Sequence, residues 1–222
     1  MNLLILDGGH AKNTAGKRNE KENFYEWEFN NDMQYKIKAR CEDHNIKVFL
    51  TNPNPSTVSD IALSTRANLA NDYWVKNNKC KSIFISLHAN AFSNASARGT
   101  ETYVAKNASA TSKNFAKVLN NEIVKTMKEI DPAAKDRGVK SENFTVIYKA
   151  SMPSVLVEYA FYSNLEDLKI LKNNKDELVE ATVKAICNYF NIEYKEKVNK
   201  VEFDGNLYAV CVGAYKDRNK AN

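Results

Sequence analysis

The chain contains three histidines, and two of them, His10 and His88, directly follow short apolar runs. Residues 2–6 (Asn-Leu-Leu-Ile-Leu) lead into Asp7-Gly8-Gly9-His10, and residues 82–87 (Ser-Ile-Phe-Ile-Ser-Leu) lead into His88-Ala89-Asn90. One histidine after a strand is ordinarily a turn or capping residue. Two in equivalent places suit a metal, because zinc takes imidazole nitrogens and carboxylate oxygens and a catalytic site uses three such ligands plus an open position. The carboxylate must come from near the first loop. Glu26 and Glu28 are rivals: two residues apart on a helix lie roughly 200° apart, so both cannot face one metal, and spacing does not choose between them. The third histidine, His44, follows Glu42-Asp43 and reads as a surface or helix C-capping residue.

Glu158 closes the apolar run Val155-Leu156-Val157. A carboxylate there is costly unless it is paired, metal-bound or solvated in a cleft. The plain reading is a salt bridge at a sheet edge. The chemical reading is a general base that takes a proton from attacking water and returns it to a leaving amine.

These residues need a scaffold. Apolar or alternating runs predict strands over 2–6, 46–50, 82–87, 100–105, 145–148 and 155–158. Helix-length segments cover 26–43, 64–76, 112–130, 165–171 and 175–190, and the segments 11–23 and 51–59 read as loops. The alternation implies an α/β fold: a mostly parallel, twisted sheet of about six strands with helices on both faces, in a single catalytic domain. Such sheets bind ligands at the carboxyl ends of their strands. Parallel order would therefore gather His10, His88 and Glu158 on one rim.

The 222 residues suffice for one core of about 170–200 residues with a small appendage. The division expected is a catalytic domain over 1–191, a charged linker over 192–200 and a partial C-terminal segment over 201–222. Composition is that of a soluble globular chain, 43% hydrophobic and 27% charged. The net charge of +5 is mild and forms no basic stripe, so nucleic acid is not expected as a partner. Modest positive charge suits a polyanionic wall surface, although a merely solvated surface explains it as well. No apolar run is long enough to span a membrane, and the first residues lack a secretory signal pattern, so synthesis in a cytoplasm is expected. Cys41, Cys80, Cys187 and Cys211 form no Cys-x-x-Cys pair and are expected as reduced thiols without a chemical role.

The motifs together resemble the zinc-dependent N-acetylmuramoyl-L-alanine amidases (type 3), a family that includes bacterial cell-separation enzymes and phage endolysins. Ile5-Leu6-Asp7-Gly8-Gly9-His10 resembles the family's first strand and its D-x-G-H loop. Glu26-Trp27-Glu28-Phe29-Asn30 resembles its E-x-x-x-N helix start, and the arginine region at Arg66 is similar only loosely. Ser86-Leu87-His88-Ala89-Asn90-Ala91 resembles S-x-H-x-N-A, and Gly99-Thr100-Glu101-Thr102-Tyr103 resembles G-x-E-x-Y. The segment from Pro153 to Asn164 resembles P-x-V-L-V-E-x-G-F-x-S-N, with Ala160 standing where the family has glycine. The likeness runs over residues 2 to 190.

The resemblance implies one zinc ion held by His10, Glu26 and His88, and it selects Glu26 over Glu28. It implies Glu158 as the general base for a zinc-activated water. The reaction would cut the amide between the lactyl group of N-acetylmuramic acid and L-alanine of the stem peptide, and so lyse the cell. The partner is peptidoglycan, both glycan strand and stem peptide. The missing signal pattern favours a phage-type enzyme that reaches the wall after release, with export by another route as the alternative. Residues 208–215 resemble the opening strand of a sporulation-related peptidoglycan-binding repeat, and such a strand could pair with a second chain; the oligomeric state stays open. Two rival readings are an inactive peptidoglycan-binding module, which would lack the metal set, and another zinc peptidase or deacetylase, whose His-x-x-Glu pair is not found here.

Overall fold

A computed structural model describes residues 1–56 and 59–197. The expected tail strand and all residues beyond 197 therefore lie outside the described residues. The strands are β1 (Asn2–Gly8), β2 (Arg18–Asn19), β3 (Phe24–Tyr25), β4 (Lys47–Leu50), β5 (Lys81–Asn90), β6 (Thr100–Val104), β7 (Asp136–Ser141) and β8 (Ser154–Phe161). Six form one sheet in the order β4-β1-β5-β8-β6-β7, while β2 and β3 make a separate hairpin. Every neighbouring pair of the large sheet is parallel except β6 with β8.

The central strands are apolar on both faces because helices cover both. Successive side chains on a strand point to opposite sides. Leu4 and Leu6 thus join one core with Ile83, Ile85, Val155 and Val157, while Leu3, Ile5, Phe84 and Leu156 join the other. The first face is covered by α1 (Glu26–Asp43), α3 (Ala110–Ile130) and α6 (Lys175–Phe190). On α1 the residues Phe29, Met33, Ile37 and Cys41 recur every fourth position and are all buried, an apolar stripe at helical period. The second face is covered by α2 (Leu63–Lys76) and the short α4 (Thr145–Tyr148), and α5 (Leu165–Asn173) follows β8. Ser109 and Asn164 cap α3 and α5 by accepting hydrogen bonds from backbone N–H groups of their first turns.

The fold class is as the sequence implies, but three details differ. Residues 145–148 form a helical turn, not a strand. Val146 and Ile147 are adjacent and both buried in one cluster, which a strand would forbid because neighbours face opposite ways. The polar segment Asp136–Ser141 is a strand, paired at the sheet edge with β6. A small hairpin pairs Arg18–Asn19, inside the segment 11–23 expected as loop, with Phe24–Tyr25 just after it. Among the described residues no helix is long and apolar enough to cross a membrane. Cys41 and Cys187 are buried free thiols, and Cys80 is half-buried.

A buried ion pair locks the end of β1. Arg66 is fully buried; its Nη1 lies 3.2 Å from Asp7 Oδ1 and donates to the Gly8 carbonyl at 2.8 Å. Its Nε donates to the Ile61 carbonyl (2.8 Å), and its other nitrogen pairs with Asp60. Asp7 also accepts from Thr51 Oγ1 (2.6 Å) after β4 and Ser86 Oγ (2.8 Å) on β5, so one carboxylate ties three adjacent chain segments. Truncating one partner of such a pair strands the other charge, which costs roughly 3–5 kcal/mol. Arg66→Ala should lower the free energy of urea unfolding by about that amount; a loss below about 1 kcal/mol would show that Asp7 needs no counter-charge.

Candidate active site

The loop after β1 presents His10 in a strained backbone conformation, with φ at +65°. That left-handed geometry is uncommon outside glycine and is kept only where surroundings enforce it. Here Asn52 Nδ2 donates to the carbonyls of Gly8 and His10, both at 2.8 Å, and Asn30 Nδ2 donates to that of Gly9 at 3.1 Å. The Gly9 N–H donates to the Leu87 carbonyl at 3.0 Å, bringing the loop against β5. A Cβ at Gly9 would sit 2.2 Å from His88 Cε1, so only glycine lets the two histidines approach.

Glu26 opens α1 and is 2% exposed. Its Oε1 lies 3.2 Å from His10 Nε2 and 2.9 Å from His88 Nδ1. The ligand-capable atoms of the three residues all lie within 4.8 Å of one another, and the imidazole rings meet edge to face at 5.0 Å. Burial raises the Glu26 pKa, but hydrogen bonds and charge from His10 and His88 overcome this and hold it down at about 2. His88 shifts upward: burial disfavours its charge, and contact with Glu26 more than restores it. The donor set fits zinc. Tetrahedral bonds of about 2.0–2.1 Å place donors roughly 3.3 Å apart, close to the separations from Glu26.

His88 lies inside its strand rather than just after it, and Glu158 lies in mid-strand rather than at the strand's end. Backbone pairing does not depend on side-chain polarity, so β5 continues to Asn90 and β8 to Phe161, with a register shift between His88 and Asn90. In that ladder His88 is directly opposite Glu158, and Glu158 is opposite Glu101 of β6. The Glu158 Oε2 is buried and has no hydrogen-bond partner among the described residues. Burial pushes the Glu158 pKa up to about 8; His88 opposes the rise, and the acids Glu26 and Glu101 add to it. Its neighbour behaves oppositely. Glu101 accepts from Asn90 Nδ2 (2.7 Å), Tyr103 OH (2.8 Å), Arg137 Nε (2.6 Å) and Lys140 Nζ. Burial would raise Glu101 too, but those donors lower it overall. Two adjacent carboxyls are thus tuned in opposite directions: the donors around Glu101 favour its charged form, while burial brings Glu158 into the range where a carboxyl can exchange a proton near neutral pH.

His10, Glu26, His88 and Glu158 all line one cavity of about 350 Å³, so the structure brings the three expected ligands and the expected base together. Leu63, Phe144, Val146 and Leu156 give it an apolar wall, and Lys17 gives it a cation. Of these wall residues none has a spacing that marks it in the sequence; they arrive from the start of α2 (Leu63), from β8 (Leu156) and from the unexpected α4 with its N-cap Phe144. Glu101 stood in a matched motif without a role, and its partners Arg137 and Lys140 carried no signal. Glu28 points elsewhere, lining a different cavity with Lys172 and Lys175. His44 lines neither that cavity nor the ligand cluster. It is the C-cap of α1, as one expectation had it, but buried rather than on the surface. Its Nδ1 bonds to the Arg40 carbonyl (2.7 Å), its Nε2 accepts from Lys195 N–H (2.9 Å), and Tyr194 stacks on its ring.

The chain is 29% identical over 190 residues to the N-acetylmuramoyl-L-alanine amidase LytC of Bacillus subtilis (strain 168), covering 84% of this chain and 35% of LytC. It is 32% identical over 115 residues to the endolysin of Bacillus phage SPP1, covering 51% of this chain and 42% of that protein. It therefore spans less than half the length of either relative. The catalytic domain of CwlV, an N-acetylmuramoyl-L-alanine amidase from Bacillus (Paenibacillus) polymyxa var. colistinus, superposes with a TM-score of 0.73 at 26% identity, covering 87% of this chain and 100% of that domain. The sequence pattern of the N-acetylmuramoyl-L-alanine amidases matches residues 4–188, most of the chain, which accordingly belongs to that family.

Proposed function

We propose that this chain hydrolyses the amide between the lactyl group of N-acetylmuramic acid and L-alanine of the stem peptide. The observation that carries the reading is the convergence of His10 Nε2, Glu26 Oε1 and His88 Nδ1 beside the unpartnered carboxyl of Glu158, in one cavity. Zinc held by His10, Glu26 and His88 would supply Lewis-acid stabilisation of charge on the scissile carbonyl and make water a better nucleophile near neutral pH.

The protein's own groups do the rest. Glu158 accepts a proton from the attacking water and passes it to the amine nitrogen of L-alanine as the C–N bond breaks. A basic, unpartnered Oε2 suits that transfer, and four donors keep the adjacent Glu101 anionic and out of the exchange. Asn52, Asn30 and Gly9 fix the His10 loop, so the ligand geometry is formed before substrate arrives. The apolar wall excludes water around the alanine side of the amide.

In this reading residues 1–191 are the catalytic unit, 192–200 join it to the tail, and the substrate partner is wall peptidoglycan. The likeness to a phage endolysin supports a lytic enzyme that meets the wall after release from the cytoplasm. The test is end-group chemistry on purified peptidoglycan, where new L-alanine amino termini must appear without new reducing sugar ends.

A further inference from the structure

A second groove opens off the catalytic cavity. Ala91 and Tyr162 line both. It is wide, about 660 Å³, and mixes polar side chains (Arg18, Asn19, Glu20, Lys21, Ser93 and Ser163) with the large apolar side chain of Phe92, a residue that is 60% exposed. Leaving an aromatic ring in water is unfavourable, and this one is held there by its backbone. The Phe92 N–H donates to Ser163 Oγ (3.0 Å), the Ala91 N–H donates to Asn90 Oδ1 (2.8 Å), and Asn164 Nδ2 donates to the Ala95 carbonyl (2.7 Å). Across the groove lie Arg18, Asn19 and Lys21.

We propose that this groove binds the glycan strand, with Phe92 as a platform for the apolar face of a sugar ring. The proposal rests on the amidase reading above and adds which arm of the substrate lies where. A pyranose has a C–H face that stacks on an aromatic ring and a rim of hydroxyls that accept and donate hydrogen bonds; one rigid aromatic with polar side chains around it matches both. Charge assigns the other arm. Arg18 is already paired with Glu20 at 2.7 Å, which suits an uncharged sugar. The catalytic cavity has the apolar wall for the alanine methyl, and its Lys17 forms no ion pair among the described residues, so it is the better place for an acidic peptide. The lactyl amide would then cross from groove to cavity at Tyr162.

The test uses the full chain and two probes: peptide-free strands of alternating N-acetylglucosamine and N-acetylmuramic acid, and the free stem peptide. Titration of the wild type by calorimetry should show binding of the glycan strand. Phe92→Ala should weaken that binding about tenfold, Phe92→Tyr should restore it, and peptide binding should be unaffected. An unchanged melting temperature would show that the loss is not one of folding. Glycan binding equal to wild type in Phe92→Ala would overturn the proposal, as would loss of peptide binding in its place. The two readings fail separately. A wild type that binds glycan through Phe92 but produces no alanine amino termini would sink the amidase reading and keep this groove; one that produces them with Phe92→Ala binding glycan normally would do the reverse.

Discussion

Glu158→Gln is expected to slow amide hydrolysis by about 10²–10⁴-fold, the usual worth of a positioned general base, while the chain keeps one zinc. Glutamine matches glutamate in shape but cannot take a proton at neutral pH. The substitution should not unfold the protein. Glu158 Oε2 makes no hydrogen bond that would be lost, and burial already favours the uncharged carboxyl. A neutral amide relieves the repulsion from Glu26 and Glu101 that contributes to the raised pKa. The expected pattern is therefore a low kcat with unchanged zinc content and a melting temperature no lower than wild type. Full activity in the variant would remove Glu158 from the reaction. Loss of zinc would make it a ligand instead.

The second large effect is on the metal. Glu26→Ala should weaken zinc binding by more than about 100-fold, the upper range for residues that merely support ligands. The carboxylate is buried between two imidazoles, and among the described residues no other acid forms a ligand-spaced set with His10 and His88. His10→Ala and His88→Ala should likewise lose zinc. Glu28→Ala is the control, since Glu28 lies by Lys172 and Lys175 on a different surface. Competition with a chromogenic chelator measures all four. Stoichiometric zinc in Glu26→Ala, or a metal-free Glu28→Ala, would reverse the choice between the two acids.

The sheet was legible because its central strands are unbroken apolar runs between polar punctuation, and residues 3–6 and 83–87 need no partner to declare themselves buried. His10, His88 and Glu158 stood out for a related reason: each is a titratable group attached to an apolar run. Their exact placement was less legible. Strand ends were set where hydrophobicity stops, whereas backbone pairing carries β5 through His88 to Asn90. The choice of Glu26 needed either the family likeness or the three-dimensional position of Glu28, because both acids occupy the first turn of α1. The Glu101 cluster was invisible, since Arg137 and Lys140 reach it from 36 and 39 residues away. Buried His44 reads in the sequence as a surface or C-capping residue for the same reason: Tyr194 and Lys195, which cover it, are remote in sequence.

The central claim concerns which bond is cut, and the products of digestion decide it. Purified peptidoglycan digested with the zinc-loaded chain should gain free amino groups, identified by end-group labelling as L-alanine, in step with clearing of the suspension. Reducing sugar ends should stay at the level of an undigested sample. New reducing ends would mean a glycosidase, new amino termini from residues other than L-alanine would mean a peptidase, and either result would contradict the account.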